Sequence, residues 1–361
     1  MAQEVYRELL EVMKKRGGAY SGMDIPEFYA LVEELFTPEE AAVNNAMPRG
    51  PFKAANLAEI MGREEEELRE ILEGMADGGL CIGLNLDGTQ FYQSARFMVG
   101  IFEFVFMAGT ATERDKRIAA LINDYEIAYK ENSDEVAPGF SPFRVITVDR
   151  TIQVGNRVHT YDQVNAMIEK QAEIAVSTCY CRHAAFLRGE DTHGMPTDVC
   201  MQFGSGAQFA VQRLGARKVT KDEALEVLNR AEDAGLIHMS QNLAEDTNFL
   251  CNCDRWHCVA VKTALSKPKP ALFFNSGFEP YFDADLCVAC ETCIDRCPPE
   301  ALVMGDDDLP QVDLDRCFGC AVCATGCPSE AVTMTNKPEY PAPPENRKAL
   351  KEALKASRGY A

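Results

Sequence analysis

The first third of the chain places its hydrophobic residues at helical spacing. Residues 54–61 are mostly apolar and end at Gly62, a residue typical of helix C-termini. Residues 64–76 form a second pattern, whose apolar positions i, i+3, i+4 and i+7 are Leu68, Ile71, Leu72 and Met75. These patterns predict two helices joined by a short turn.

Short extended segments follow the two helices. The apolar run 80–86 and residues 89–92 flank Asp87-Gly88, a pair typical of two-residue hairpin turns. The order helix, turn, helix and hairpin resembles a winged helix-turn-helix domain, which we expect within residues 1–130. Such a domain could bind DNA, dock a protein or form a dimer. The recognition helix, however, begins with four carboxylates at residues 64–67, which repel DNA phosphates.

Two capping-box patterns predict helix starts in the middle of the chain. Thr160 with Gln163 precedes apolar residues at helical spacing, and Thr220 with Glu223 begins a helix that ends near Gly235. We therefore expect mainly helices in residues 131–278. A Pro-rich connection and a polar helix are expected in residues 341–361.

Composition and charge limit the classes of function. A chain of 361 residues is long enough for about two to three domains. The net charge of −20 argues against a nucleic-acid-binding protein and favours a protein partner with a basic docking surface. No segment reaches the ~20 apolar residues of a membrane span. The N-terminus lacks the pattern of a secretory signal, so we expect a cytoplasmic protein.

The cysteines are concentrated in the second half of the chain. Only Cys81, among 15 cysteines, precedes residue 179. In a reducing compartment such clusters indicate metal ligands rather than disulfides. Eight of them form two copies of C-x2-C-x2-C-x3-C-P, which are 30 residues apart. The first copy contains Cys287, Cys290, Cys293 and Cys297, and the second contains Cys317, Cys320, Cys323 and Cys327.

This repeat resembles the bacterial two-cluster ferredoxin, in which three cysteines of one copy and the last of the other bind one 4Fe-4S cluster. The resemblance implies a first cluster on Cys287, Cys290, Cys293 and Cys327. It implies a second cluster on Cys317, Cys320, Cys323 and Cys297. Zinc sites usually consist of two separated C-x2-C pairs, so the repeat favours iron–sulfur clusters. Such clusters carry single electrons and do not themselves indicate catalysis.

A second group of cysteines lies upstream. It consists of two C-x-C pairs and two further cysteines, which are Cys179, Cys181, Cys200, Cys251, Cys253 and Cys258. We expect a third 4Fe-4S cluster on Cys179, Cys181, Cys251 and Cys253, with Cys200 and Cys258 as replacements. Zinc and unliganded core cysteines are the alternatives.

The motifs CYCRH, DVCMQF and CNC ahead of the ferredoxin repeat resemble a group of anaerobe proteins known as 4Fe-4S-binding proteins, over roughly residues 140–335. The whole chain is then an α+β multidomain protein. We expect a winged-helix-like domain (1–130), a mainly helical domain with the third site (131–278), a ferredoxin-type domain (279–340), and a linker with a terminal helix (341–361).

The leading hypothesis is an electron-transfer protein, either a relay or a subunit of a larger anaerobic oxidoreductase complex. It receives electrons from one redox protein and passes them to another. One alternative is an iron–sulfur redox-sensing transcription regulator, because a winged-helix-like domain precedes the clusters. The other is an enzyme that binds substrate at the middle cluster.

Overall fold

The computed structural model describes residues 2–17, 22–132, 140–153, 155–156, 163–338 and 340–357, so the expected cap at Thr160 lies outside the described residues. The chain forms two compact units. The first contains residues 1–135, 177–193 and 205–218, and the second contains 136–176, 194–204 and 219–361. The first unit therefore takes two segments from the region that we expected to be a separate middle domain.

Helices dominate the first unit. They are α1 (Ala2–Arg16), α2 (Pro26–Leu35), α3 (Pro38–Ala46), α4 (Ala54–Met61), α5 (Glu65–Asp77), α6 (Phe102–Phe104) and α7 (Glu113–Asn132), with α9 (Tyr180–Leu187) and α10 (Ser205–Arg213) later in the chain. Phe97 is the centre of an aromatic core, because its ring packs edge-on against Phe28, Phe102 and Tyr125. Edge-to-face aromatic pairs of this kind stabilise a core beyond their apolar area.

The helices and hairpin predicted for residues 54–92 are present. Helix α4 ends at Gly62, whose φ of 63° is left-handed, and α5 buries Leu68, Leu72 and Met75. Strands β1 (Cys81–Leu86) and β2 (Thr89–Ser94) pair in antiparallel register. Both turn residues have positive φ, as a tight hairpin turn requires. The assignment of this region to the winged-helix class stays a prediction.

A six-stranded sheet lies mainly in the second unit. Its strands are β3 (Phe143–Val145), β4 (Ile174–Ser177), β5 (Cys200–Phe203), β6 (Arg217–Val219), β7 (Ile237–Gln241) and β8 (Phe249–Cys253), in the order β3-β7-β8-β5-β4-β6. The helices between and after them are α8 (Val164–Glu169), α11 (Lys221–Asp233) and α12 (Val259–Leu265). Helix α11 begins at the predicted capping box, in which Thr220 accepts from the Glu223 backbone N–H.

The expectation of a mainly helical middle region therefore needs correction, since this six-stranded sheet lies within it. Its strands have three to five residues; β4 is buried along its whole length, and β5 and β7 are buried at all but one position. A short strand that is buried on both faces has no alternation of polar and apolar residues, so the period that identifies strands is missing. No helix among the described residues is long and apolar enough to cross a membrane.

Residues 278–336 form a small two-fold module. Its elements are β9 (Phe278–Phe282), α13 (Thr292–Asp295), β10 (Leu302–Met304), β11 (Pro310–Val312), α14 (Val322–Thr325) and β12 (Val332–Asn336). Strand β9 pairs with β12, so the two ends of the module are joined, and β10 pairs with β11 between the repeats. The terminal helix α15 (Arg347–Ser357) follows the Pro-rich segment, as the sequence predicts.

Candidate metal centres

Each repeat carries its cysteines on a loop followed by one helical turn. The first loop has positive φ at Ala289 and Glu291, and the second has positive φ at Gly319 and Ala321. Helices α13 and α14 begin directly after these loops. Two left-handed residues at the same positions reverse the chain tightly, which allows the three thiols of a repeat to approach one centre.

The first cavity lies beside the first loop. The structure brings together around it the four cysteines of the first expected set, Cys287, Cys290, Cys293 and Cys327. Its remaining lining is largely apolar and includes Phe282, Met304 and Val332. Four soft thiol ligands in apolar surroundings are the donor set that 4Fe-4S clusters take.

The second cavity has the same construction. It is lined by the second expected set, Cys297, Cys317, Cys320 and Cys323. Backbone N–H groups already point at two of these sulfurs, since Ala301 donates to Cys297 at 3.3 Å and Gly319 donates to Cys317 at 3.4 Å. Hydrogen bonds of this kind stabilise the thiolate form that binds iron.

Burial raises the pKa values of thiols in both cavities, including that of Cys293 in the first. Hydrogen bonding with Thr292 lowers the pKa of Cys290, whose Sγ is 3.4 Å from the Thr292 hydroxyl oxygen. Burial raises the pKa of Cys297 to about 11, and it also raises the pKa values of Cys317 and Cys323. Because only thiolates bind iron, loading of the second cavity must be coupled to proton release from buried groups.

The two loops also differ in exposure. In the first loop Val288 is 64% exposed and Cys290 is exposed as well. The equivalent residues thirty positions later are Phe318, which is 0% exposed, and Cys320, which is 7% exposed. The first loop is therefore exposed to solvent, whereas the second loop is covered by the rest of the chain.

Neighbouring elements of the second unit cover the second loop. Thr147 and Ser276 donate hydrogen bonds to the Gly319 carbonyl at 2.8 and 2.7 Å. Phe318 and Cys320 belong to a buried apolar cluster that also contains Ile237, Cys253 and Cys258. The Arg296 side chain donates to the backbone carbonyls of Glu232 and Asp233, at the end of α11. The module is thus attached to the rest of the second unit mainly through its second loop, and Arg296 of the first repeat adds a contact with α11.

Three of the six upstream cysteines are neighbours in the second unit. Cys251 and Cys253 lie at the end of β8, and Cys258 immediately precedes α12. Hydrogen bonds with Cys251 and Cys258, together with burial, raise the pKa of Cys253. Between them, the Asp254 carboxylate accepts from the backbone N–H groups of Trp256 and His257, which closes the loop.

The remaining cysteines of that group are placed differently. Cys200 begins β5, one residue before the Met201–Leu250 pair of the β5–β8 ladder. Cys179 and Cys181 lie at the start of α9 in the first unit, where Tyr180 donates to Glu126 at 2.9 Å. In the described part of the chain, no three His, Cys, Asp or Glu side chains are grouped tightly enough to enclose a single metal ion.

Sequence reasoning missed the cations near the second cavity. Lys337 Nζ lies 3.5 Å from the carbonyl oxygen of Cys317, and Arg255 lowers the pKa of Cys297 against the larger effect of burial. Arg255 is paired with Glu300 at the end of the first repeat. Both cations lie outside the cysteine motifs, so no local pattern identifies them.

The comparisons with known proteins identify the first repeat. The family model described as 4Fe-4S binding domain matches residues 280–303, which contain Cys287, Cys290, Cys293 and Cys297. No curated protein matches the chain. The chain therefore carries an iron–sulfur module of the electron-transfer type that binds at least one 4Fe-4S cluster.

Proposed function

We propose that the chain is an electron-transfer protein whose ferredoxin-like module holds two 4Fe-4S clusters. The first is held by Cys287, Cys290, Cys293 and Cys327, and the second by Cys317, Cys320, Cys323 and Cys297. The observation that carries the proposal is the presence of two cavities, each lined by one complete set. Clusters of this type supply one-electron transfer when bound.

The packing of the module supports transfer between the two sets. Cys293 of the first set and three cysteines of the second belong to one buried cluster, with Cys327 against its edge. The shared members of the second set are Cys297, Cys317 and Cys323. Because Cys297 and Cys327 each cross to the other repeat, neither half can bind its cluster without the other. The protein thus keeps both sets at a fixed, short separation.

We further propose that Cys251, Cys253 and Cys258 contribute to a third centre in the second unit. A 4Fe-4S cluster is the first candidate, with Cys200 as a further ligand. Zinc is the alternative, but a single zinc ion requires these thiols to move closer together than they are in this structure. The support is that Cys253 and Cys258 pack in the same buried cluster as Cys320 and Phe318. The participation of Cys179 and Cys181, which belong to the first unit, stays a prediction.

Iron, sulfide and zinc analysis of anaerobically purified protein tests both proposals. Three clusters require about twelve irons per chain and two require about eight. Cys253→Ser with Cys258→Ser should remove about four irons, or one zinc, and leave the ferredoxin signals in the electron paramagnetic resonance (EPR) spectrum unchanged. Cys81→Ser is the matched control, because Cys81 is a buried cysteine that belongs to no set. About four irons in the unmodified protein would overturn the two-cluster proposal.

The regulator hypothesis is supported less well. The first turn of α5 carries Glu65, Glu66 and Glu67, and the neighbouring cations are already paired: Arg63 with Glu39 and Glu67, and Arg69 with Glu65. Paired cations are poorly available for phosphate contacts. We therefore propose redox proteins or complex subunits as partners. A gel shift with genomic DNA fragments should give no salt-sensitive retardation.

A further inference from the structure

The first loop of the ferredoxin-like module differs from the second in the exposure of its apolar and cysteine side chains. Leu286 and Val288 are 50% and 64% exposed and stand on either side of Cys287. Cys290 is itself exposed. At the equivalent of Val288 the second repeat has Phe318, which is fully buried. A protein that contacts the first loop therefore touches a ligand of the first set directly, whereas the second loop is covered by this chain.

The charge around the first loop is one-sided. Residues 279–313 contain ten carboxylates and one cation, Arg296. Arg296 is turned toward the backbone carbonyls of α11. Asp285 and Glu291, which flank the exposed apolar residues, are themselves exposed. An apolar centre with a charged rim is the usual anatomy of a transient protein interface, and this rim is acidic.

We propose that the loop Leu286–Glu291 is the docking surface for an external redox protein whose own contact face has an apolar centre framed by Lys and Arg. Electrons then enter or leave this chain at the first thiol set, and the second set serves transfer within the chain. This inference rests on the proposed two-cluster function. It specifies which face of the module contacts the partner, and it specifies that the partner's contact face is basic.

The probe is a cytochrome c whose haem edge is ringed by lysines. The full-length protein is reduced anaerobically and mixed with the oxidised cytochrome in a stopped-flow instrument, at several ionic strengths. Binding between the two oxidised proteins is measured separately by calorimetry, so that docking is observed without electron transfer. Val288→Lys is the test variant. Leu314→Lys is the control, because Leu314 is an apolar residue that is 48% exposed and lies three residues before Cys317, outside the first loop.

Val288→Lys should lower the second-order rate constant at low salt by about tenfold and weaken binding to a similar degree, because it places a cation against a basic partner. Leu314→Lys should change both by less than about twofold. Glu291→Gln should give an intermediate loss that disappears at high salt. Iron content and EPR signals should remain those of the unmodified protein in all three variants.

Two results would overturn the inference while leaving the two-cluster proposal intact. One is an equal loss in Val288→Lys and Leu314→Lys, which would mean that the cytochrome responds only to net charge. The other is a larger loss in Leu314→Lys, which would move the docking surface to the second half. Failure of the proposed function itself would be recognised separately, from the iron content of the unmodified protein.

Discussion

Lys337 should raise the reduction potential of one cluster and leave the other nearly unchanged. Its Nζ donates to Asn275 Oδ1 at 3.3 Å and lies 3.5 Å from the Cys317 carbonyl oxygen. Burial lowers its pKa, and the negative groups at Cys317 and Glu279 oppose that change. A cation here favours the more negative, reduced form of a cluster on the second thiol set, so Lys337→Met should lower that cluster's potential.

The size of the shift follows from Coulomb's law. For a charge about 8 Å from the cluster centre and an effective dielectric constant of about 20, the interaction is about 2 kcal/mol. That energy corresponds to about 90 mV for a one-electron couple, at about 59 mV per tenfold change in the equilibrium constant. Relaxation and water entry will reduce the effect, so we expect a decrease of about 50 to 90 mV.

The assay is an anaerobic potentiometric titration followed by EPR, which separates the two cluster signals. Lys337→Arg keeps the charge and should restore most of the potential. Lys269→Met is the matched control, because Lys269 pairs with Asp315 in the same half of the module but its side chain is 56% exposed. Solvent screens such a charge, and its removal should change neither potential by more than about 15 mV. An equal shift of both clusters in Lys337→Met, or no shift, would refute the assignment of Lys337 to the second set.

Two further predictions concern the stability of the module and of the first unit. Gly319→Ala should lower the free energy of unfolding by several kcal/mol and reduce the module's iron content by about half, because an added Cβ collides with the Phe278 carbonyl and the residue has a φ of 68°. Ala289→Ser, at the equivalent exposed position of the first loop, should retain its iron in the same iron analysis. Arg213→Met should lower the free energy of unfolding of the first unit by about 1–2 kcal/mol, measured by urea titration, because Arg213 binds Glu73 at 2.6 Å. Burial alone would raise the pKa of Glu73, but hydrogen bonds from Arg213 and a tyrosine lower it. This contribution is therefore present above the unfolded-state pKa of Glu73 and is lost as pH falls through the folded-state value, so the variant and the unmodified protein should converge in stability at acid pH.

The grouping of the ferredoxin thiols could be predicted because the repeat resembles the bacterial two-cluster ferredoxin. That resemblance implies that Cys297 and Cys327 cross between the repeats, and the thiols that line each cavity are grouped in the same way. Helices α4 and α5 were predictable because each keeps a helical period and has a recognisable end. The sheet was not, because its strands are too short and too buried to show a period.

Contacts between residues that are far apart in the sequence could not be predicted, for a different reason. The first unit recruits residues 177–193 and 205–218 from a region that is separate in sequence. Arg213 lies in one of those segments, yet its partners, Glu73 and Asp77, lie in α5. No local pattern reports a contact between residues more than a hundred positions apart, so a domain boundary drawn at a linker cannot recover such a unit.

The difference in exposure between the two loops, in contrast, follows from the residues at equivalent positions of the two repeats. The loops share their ligand spacing and their left-handed positions, so selection for cluster geometry alone would leave them alike. They differ where no ligand is required: Val288 and Glu291 in the first correspond to Phe318 and Ala321 in the second. A buried aromatic and a small residue suit a loop that packs against the chain, whereas a carboxylate would be costly there. Comparing the non-ligand positions of two such repeats is therefore enough to predict which loop is exposed and which is covered by the rest of the chain.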